Sequence, residues 1–279
     1  MPVEEYFLPD SLDQALDLLA EHQDSMLVTA GGTVTMPLIN EGISVPEKVM
    51  GLKGTGLDYI HESELAITIG ATTKLSSLLS LESLPILQLA AENTGAWAVR
   101  NLGTIGGNLF VPPPAGDVAV ALLAMDAQIK LVSSANERWV PLNEFYTGFM
   151  STTMEPDELL TEIQIAQPLG PPAFVKYGRK RANTPAIVTV AAYINLGKEM
   201  VMTARIALGA AGPHPIRAYT AEDALVARKL GPESIQEAAA AAASESQPFT
   251  DAIATEWYRR KMIEVYVERA LTELAEMEA

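Results

Sequence analysis

Apolar and polar positions near the start of the chain follow first a helical and then a strand-like pattern. Leucines recur on one face of Ser11–Ala20, and Ser11 and Gln14 have the spacing of a capping box, so this segment is predicted to be a helix. A short apolar run, Met26–Ala30, predicts a strand. Two adjacent glycines follow it directly, which predicts a tight loop without side chains.

From about residue 58 the pattern changes to short strands mixed with short helices. Strand-like runs occur at Ala66–Gly70, Gln128–Val132 and Leu159–Ile165. Helical spacing is found over Lys74–Ser80 and Pro85–Glu92. These segments predict a second unit that mixes helices and strands.

A third unit is predicted after Gln167–Pro172, where prolines and a glycine interrupt any regular element. Ile187–Leu196 and Val201–Gly209 have the pattern of an antiparallel hairpin joined around Gly197 and Lys198. The chain is predicted to be helical from Ile216 onward, with a final amphipathic helix near Thr255–Leu274. The predicted class is therefore α+β, with domains at residues 1–57, 58–170 and 171–279.

Composition and charge narrow the class of protein. The 279 residues are 48% hydrophobic, as in an ordinary globular protein, and carry a formal net charge of −16. Because this charge repels phosphate polymers, we do not expect a nucleic-acid partner. The longest clean apolar run, Val118–Met125, is far shorter than the roughly 20 residues of a membrane span, and the N-terminus lacks a secretory signal. We expect a soluble, cytoplasmic protein.

Cysteine is absent from the chain, which excludes disulfides, thiolate nucleophiles and cysteine-ligated zinc or iron–sulfur clusters. The three histidines, His22, His61 and His214, are scattered without ligand spacing, so no metal site is predicted. Redox chemistry in this chain would need a bound organic cofactor.

The most informative feature is a pair of glycine segments about 75 residues apart, Ala30-Gly31-Gly32-Thr33 and Thr104-Ile105-Gly106-Gly107-Asn108. Glycine lets backbone N–H groups approach a pyrophosphate without intervening β-carbons. Asp117 follows the second segment at a distance held by consecutive prolines. The two segments together indicate one ligand held from two sides.

A flavin dinucleotide fits these segments better than a simple phosphate. Four or five charge-assisted hydrogen bonds supply about 6–15 kcal/mol, which hardly exceeds the estimated 4–15 kcal/mol cost of association. A tightly held ligand must therefore also bury apolar or aromatic surface. Neither segment has Rossmann or P-loop spacing. Valine at Gly106 or Gly107 is expected to abolish flavin retention while the chain still folds.

On these residues the chain resembles, essentially end to end, the FAD-binding medium subunit of the molybdenum hydroxylases, the family of xanthine dehydrogenase and aerobic carbon monoxide dehydrogenase. One signature is Ala30-Gly31-Gly32-Thr33 followed by Met36-Pro37-Leu38. The other is Arg100-Asn101-Leu102-Gly103-Thr104-Ile105-Gly106-Gly107-Asn108, with Asp117 nine positions after the asparagine.

The resemblance implies a two-subdomain FAD-binding fold of the vanillyl-alcohol-oxidase/PCMH type, plus a C-terminal domain with a small antiparallel sheet and helices. It also implies a set of cofactor-binding residues. Those of the first segment are Val28, Thr29, Ala30, Gly31, Gly32, Thr33, Val34 and Thr35. Those of the second segment and beyond are Thr104, Ile105, Gly106, Gly107, Asn108, Asp117, Leu160 and Lys176.

By the same resemblance, electrons come from [2Fe–2S] clusters of a small iron–sulfur subunit, and a large subunit carries the molybdenum cofactor. The implied assembly is a dimer of heterotrimers. The FAD in this chain passes the electrons to an external acceptor, so no catalytic side chain and no metal site are expected. Because cysteine is absent and neither glycine segment holds a histidine, we expect the FAD to be non-covalent.

Two departures from the family pattern bear on the acceptor. The cysteine-bearing insertion of some relatives cannot be present. After the basic run Arg179-Lys180-Arg181, the chain has Thr184-Pro185-Ala186 where many relatives have an acidic and a large apolar residue. The basic run could steer an anionic acceptor, contact a partner subunit or simply be solvated. Two alternatives to the electron-transfer subunit are a stand-alone FAD-dependent reductase or oxidase and a flavin-free scaffold subunit.

Overall fold

The computed structural model describes residues 3–166, 170–180 and 183–277. Its first unit is a small parallel sheet with strand order β1-β3-β2. The elements of this unit are β1 (Glu5–Phe7), α1 (Leu12–His22), β2 (Met26–Thr29), α2 (Thr35–Asn40) and β3 (Lys48–Gly51).

The predicted first helix is confirmed as α1. The Ser11 hydroxyl accepts a hydrogen bond from the Gln14 amide at 3.2 Å, as an N-cap residue does. The Gln14 side chain accepts from the Asp10 amide at 2.9 Å. The leucine face packs into a core beneath β2 and β3, which places the chain segment after β2 at the edge of this unit.

The second unit is built on a five-stranded antiparallel sheet of order β4-β5-β10-β6-β7, beside a two-stranded pair β8-β9. The three predicted strands are confirmed as β5, β6 and β10. The strands of this unit are β4 (Ile60–Glu62), β5 (Ala66–Gly70), β6 (Gln128–Val132), β7 (Glu137–Pro141), β8 (Tyr146–Gly148), β9 (Ser151–Thr152) and β10 (Leu159–Ala166).

The described residues of the second unit form five helices, and of these the sequence predicted the one that begins at Pro85. The second glycine segment forms the cap and most of a short helix, instead of an open loop, and another short helix ends just before it at Leu102. The apolar run after Asp117 is a buried helix. The helices are α3 (Pro85–Asn93), α4 (Trp97–Leu102), α5 (Ile105–Leu109), α6 (Asp117–Ala124) and α7 (Leu142–Phe145).

The prediction of a helix over Lys74–Ser80 was wrong except for a 3₁₀ turn at Ser77–Ser80. The start of this segment is extended, because Lys74 forms a β-bridge with Thr104. The Leu75 amide then donates to the Gly103 carbonyl at 2.9 Å. Pairing with the second glycine segment takes the hydrogen-bonding groups that a helix would need.

The third unit has a four-stranded antiparallel sheet of order β11-β12-β13-β14 covered by helices. The predicted hairpin is confirmed, but Ile216 begins a short strand rather than a helix. The elements are β11 (Pro172–Gly178), β12 (Ala186–Gly197), β13 (Met200–Gly209), β14 (Ile216–Arg217), α8 (Tyr219–Asp223), α9 (Pro232–Glu245) and α10 (Glu256–Met277).

The third unit packs directly against the second. Helix α6 contacts both β12 and β13, and α3 contacts β11. On the opposite side, α10 is anchored to β12 by the fully buried Arg259, which donates to the carbonyls of Ala186 and Ile187. Part of the predicted boundary segment, residues 167–169, lies outside the described residues. No helix in the described ranges combines the length and apolarity needed to cross a membrane.

Candidate functional site

Both glycine segments open on one cavity of about 800 Å³. The cavity lies between the first sheet, the α4–α5 corner and the edge of the third unit. It is also lined by Asp117, Leu160 and Lys176, which are far apart in sequence. Of the sixteen residues predicted to bind the cofactor, the structure brings all except Ile105 to the cavity wall.

The first glycine segment presents unpaired backbone donors to this cavity. Across the part of the chain that the structure describes, the N–H groups of Gly31 to Thr35 have no protein acceptor. The buried hydroxyl of Thr29 also has no hydrogen-bond partner and lines the same cavity. Unpaired donors at the start of a helix suit an anion, so this segment can hold a pyrophosphate.

In the second glycine segment, the amides of Ile105 to Asn108 donate to protein acceptors. The Ile105 amide donates to the Thr73 carbonyl, and the Gly106 amide donates to the Ala71 carbonyl, both at 2.9 Å. The Gly107 amide is capped by the Thr104 hydroxyl at 3.1 Å. These four amides are therefore not free to bind phosphate, unlike those of the first segment. The exposed glycine of the second segment, Gly107, instead gives the ligand a surface without a side chain.

The glycines also differ in what a β-carbon would meet. At Gly31 it would lie 2.1 Å from the Leu102 carbonyl oxygen, and at Gly106 it would lie 2.7 Å from the Ala71 carbonyl oxygen. Both glycines are therefore required by close contact between protein backbones. At Gly107 a β-carbon would meet a side chain instead of backbone, the Thr104 hydroxyl at 2.9 Å, and at Gly32 it would meet Met36 Cγ at 3.1 Å. Valine at Gly106 would disturb packing, contrary to the expectation that the chain would fold unchanged.

Asn108 and Ile105 have structural contacts of their own. The Asn108 side-chain oxygen accepts from the Ala119 amide at 3.1 Å, which satisfies one of the free donors at the start of α6. Ile105 is fully buried in the apolar core below the cavity. The second glycine segment thus fixes the position of α6, and with it the position of Asp117.

Asp117 joins the second unit to the third. Its carboxylate accepts from Lys176 Nζ at 2.6 Å and from the Thr189 hydroxyl at 2.9 Å. Lys176 also donates to the Asn93 carbonyl at 2.8 Å. Burial raises the pKa of the Asp117 carboxyl, while Lys176 and Thr189 act in the opposite direction. Sequence reasoning missed Thr189, because nothing in a strand of small apolar residues marks one threonine as a partner of Asp117.

The remaining cavity wall is mostly apolar, as a ligand with a large aromatic ring requires. Leu160 lies on it as predicted. Sequence reasoning missed most of the other apolar residues, because they come from loops and helix ends distributed over the chain. Five of them are Leu38, Ile43, Val99, Met150 and Met154.

Several other residues whose side chains could bind a flavin, a metal ion or an anion do not line this cavity. Trp97 is exposed and Tyr193 is buried in the core, and neither lines the cavity. In the described ranges, no group of three or more His, Cys, Asp or Glu side chains could hold a metal ion. Arg179 and Lys180 of the basic run are exposed, and Arg181 lies outside the described residues.

The residues present fit FAD. Unpaired amides at Gly31–Thr35 match the two charges of a pyrophosphate, and the buried Thr29 hydroxyl offers another polar contact. The apolar wall supplies the buried surface that phosphate contacts alone do not provide. Among the lining residues that the structure describes, Lys176 is the one cation, which leaves the loop amides as the main anion-binding groups.

A bidentate ion pair at the cavity edge predicts a pH-dependent contribution to stability. Arg138 donates two hydrogen bonds of 2.7 Å to Glu158. This contact lowers the pKa of the Glu158 carboxyl below its usual value. The stabilisation is therefore present above the unfolded-state pKa and is lost as the pH falls through the lower folded-state value.

Glu158→Gln is expected to lower the free energy of unfolding by about 1 kcal/mol at pH 7. The difference between the two chains should shrink as the pH falls below about 4, because both then carry a neutral group. Urea unfolding between pH 3 and pH 7 checks this. A difference that grows toward low pH would contradict it.

Comparison with known families matches nearly the whole chain. Residues 2–168 match the model described as the FAD binding domain in molybdopterin dehydrogenase. Residues 173–274 match the CO dehydrogenase flavoprotein C-terminal domain. The two matches meet close to the start of β11.

Individual proteins agree with this assignment. The chain is 30% identical to the glyceraldehyde dehydrogenase medium chain of Sulfolobus acidocaldarius, over 97% of this chain and 98% of the relative. It is 33% identical to the 6-hydroxypseudooxynicotine dehydrogenase complex subunit alpha of Paenarthrobacter nicotinovorans, over 97% of this chain and 94% of that protein.

A solved structure of Cu,Mo-CO dehydrogenase in its cyanide-inactivated form contains a chain that superimposes with a TM-score of 0.93 at 28% identity, covering 100% of both chains. This match confirms the predicted fold class, an FAD-binding domain followed by a domain with an antiparallel sheet. The chain therefore belongs to the family of FAD-binding domains of molybdopterin dehydrogenases, and it is an FAD-binding oxidoreductase subunit of the xanthine dehydrogenase and carbon monoxide dehydrogenase group.

Proposed function

We propose that this chain is the electron-transfer subunit of a molybdenum hydroxylase complex, accepting electrons from [2Fe–2S] clusters of a partner and delivering them to an external acceptor. The observation that carries the proposal is the cavity, in which unpaired amides at Gly31–Thr35 face an apolar wall. Bound there, FAD would supply the chemistry of taking up and releasing electrons.

The residues of this chain have supporting roles in the proposal. The amides of the first glycine segment bind the pyrophosphate, and Gly107 leaves the opposite side open to it. Lys176 places a positive charge on the cavity wall, held by Asp117. The fifteen of the sixteen residues that line the cavity remain our proposed FAD contacts, and Ile105 supports them from the core below. We retain 1–57, 58–170 and 171–279 as proposed domain bounds.

The partners follow from the chemistry that this chain cannot supply. A chain without cysteine cannot ligate an iron–sulfur cluster through thiolates, so clusters must belong to another polypeptide. Two of its relatives are named as a medium chain and as a complex subunit. We propose a small iron–sulfur subunit and a large molybdenum subunit as partners, assembled as a dimer of heterotrimers, with non-covalent FAD in this chain in the cytoplasm.

The test is purification of the chain together with the products of its neighbouring genes. The complex is expected to release FAD in acid without proteolysis and to show iron–sulfur absorbance. Gly107→Val is expected to reduce FAD content to less than about a tenth, because a branched side chain would enter the cavity. Gly231→Val is the control, since a β-carbon there meets nothing within 4 Å.

Stopped-flow spectroscopy then separates the proposal from its alternatives. With a substrate that reduces the complex, clusters and flavin should both bleach, whereas the Gly107→Val complex should reduce its clusters only. Turnover by this chain alone would favour the stand-alone reductase or oxidase. A wild-type complex that takes up no FAD would favour the scaffold, although neither glycine segment carries the bulky substitutions expected of one.

A further inference from the structure

A second, smaller cavity of about 310 Å³ adjoins the first one. It lies at the turn between β11 and β12. Arg179 and Lys180 line it from one side, and Lys176, Asn183 and Thr184 belong to both cavities. Nothing in the proposed contacts of FAD uses Arg179 or Lys180. The small cavity therefore adjoins the proposed FAD cavity and shares three lining residues with it.

The charge of this second cavity differs from that of the chain as a whole. Its charged lining side chains are Lys176, Arg179 and Lys180, and it has no acidic lining residue among the described ones. In those same ranges, neither Arg179 nor Lys180 has a carboxylate within ion-pair distance. The chain has 35 acidic and 19 basic residues, so a cavity lined by three cations and no described carboxylate contrasts with its overall charge.

Lys176 can contribute to both cavities. An ammonium group has three N–H donors, and two of them are directed to Asp117 and to the Asn93 carbonyl. The third remains available beside Arg179 and Lys180. Asn183 and Thr184 add neutral polar groups to the wall. These are the groups that bind oxyanions, with guanidinium and ammonium donors as the strongest of them.

We propose that this cavity binds the oxyanion group, a phosphate or carboxylate, of the small-molecule electron acceptor. The proposal rests on the function proposed above, because an acceptor must approach the flavin cavity. The volume admits one or two such groups but not a protein segment of any length. Binding the charged group here would leave the redox-active part of the acceptor next to the flavin.

Equilibrium binding to the FAD-loaded complex tests the site without turnover. Inorganic pyrophosphate is the probe for a phosphate group, and malonate is the probe for a carboxylate group. Bound FAD prevents either probe from entering the first cavity. One of them is expected to bind measurably. Arg179→Gln/Lys180→Gln is expected to raise its dissociation constant about tenfold at low salt.

The matched control is Lys53→Gln/Lys198→Gln, which removes the same charge from exposed positions lining neither cavity. Lys198 follows the far end of the 12-residue strand β12, roughly 35 Å from the basic turn. If both double variants lose the same affinity for the probe, the loss comes from the net charge of the chain and not from this site, and the proposal is overturned. Binding unaffected by the Arg179/Lys180 changes, or no binding of either probe, would overturn it as well.

Steady-state reduction of acceptors provides a second measurement. kcat/KM is measured for an anionic acceptor, NAD⁺ or dichlorophenolindophenol, and for the neutral acceptor 1,4-benzoquinone. The anionic-to-neutral ratio of these values is expected to fall about tenfold in Arg179→Gln/Lys180→Gln. An unchanged ratio would contradict the site even if the complex transfers electrons. Failure of the flavin to accept electrons at all would instead contradict the proposed function, and would leave the binding result intact.

Discussion

Gly31→Ala, which adds a single methyl group, is expected to abolish FAD binding by the chain. The β-carbon of Gly31→Ala would lie 2.1 Å from the Leu102 carbonyl oxygen and 2.7 Å from Gly103 Cα. Both neighbours are backbone atoms, so the first glycine segment must move away from the α4–α5 corner. We expect a loss of about 3 kcal/mol or more in the free energy of unfolding and FAD content below about a tenth of wild type.

Gly231→Ala provides the matched control for this experiment. Gly231 has an extended backbone, and a β-carbon there meets nothing within 4 Å. FAD released by acid and the midpoint of urea unfolding are measured for both variants. If Gly31→Ala retains stoichiometric FAD with an unchanged midpoint, the two glycine segments do not need their close contact to form the cavity.

The glycines show which part of the site the sequence could predict. Paired glycines after a strand predicted a segment that a ligand approaches, and the cavity lies there. The sequence could not show that Gly31 touches Leu102 or that Gly106 touches Ala71, because those neighbours come from other segments. The sequence shows where glycine leaves out a side chain. Only the tertiary structure shows whether a ligand or another backbone segment lies against that glycine.

Helix α5 was missed for a related reason. Two of its five residues are glycines, which have low helix propensity, so the local sequence favours a loop. The helix forms because the Thr104 hydroxyl caps it and the Ala71 and Thr73 carbonyls accept its first amides. Long, periodic elements such as α10 and the β12–β13 hairpin needed no such partners to be predicted.

The prediction of a helix from Ile216 onward was wrong because pairing with another strand determines the structure there. Its apolar and polar pattern is too short to separate a strand from a helix start. Pairing of Leu208 with Ile216 makes it the edge strand of the third sheet. Arg217 then donates to Glu222 at the start of the following helical region, where burial raises the pKa of that carboxyl.

The second large effect is expected at Asp117, whose substitution removes the partner of a buried cation. The side chain of Lys176 is 7% exposed, and among the described residues its ammonium keeps the Asn93 carbonyl as its one acceptor once Asp117 is lost. Breaking one side of a buried ion pair costs about 3–5 kcal/mol, because the remaining charge is left without compensation. Asp117→Ala should therefore lower the free energy of unfolding by about that amount, with the Thr189 hydroxyl also left unpaired.

The double variant Asp117→Ala/Lys176→Met separates the ion pair from simple loss of packing. Without the ammonium, no charge remains to be solvated, so part of the lost stability should return. The exposed pair of Glu199 and Lys229 is the control, and Glu199→Ala should leave the urea midpoint close to that of wild type. If the double variant is as unstable as the sum of both single variants, Asp117 and Lys176 act independently. The link between the FAD-binding units and the C-terminal sheet must then depend on other contacts, such as the packing of α6 against β12 and β13.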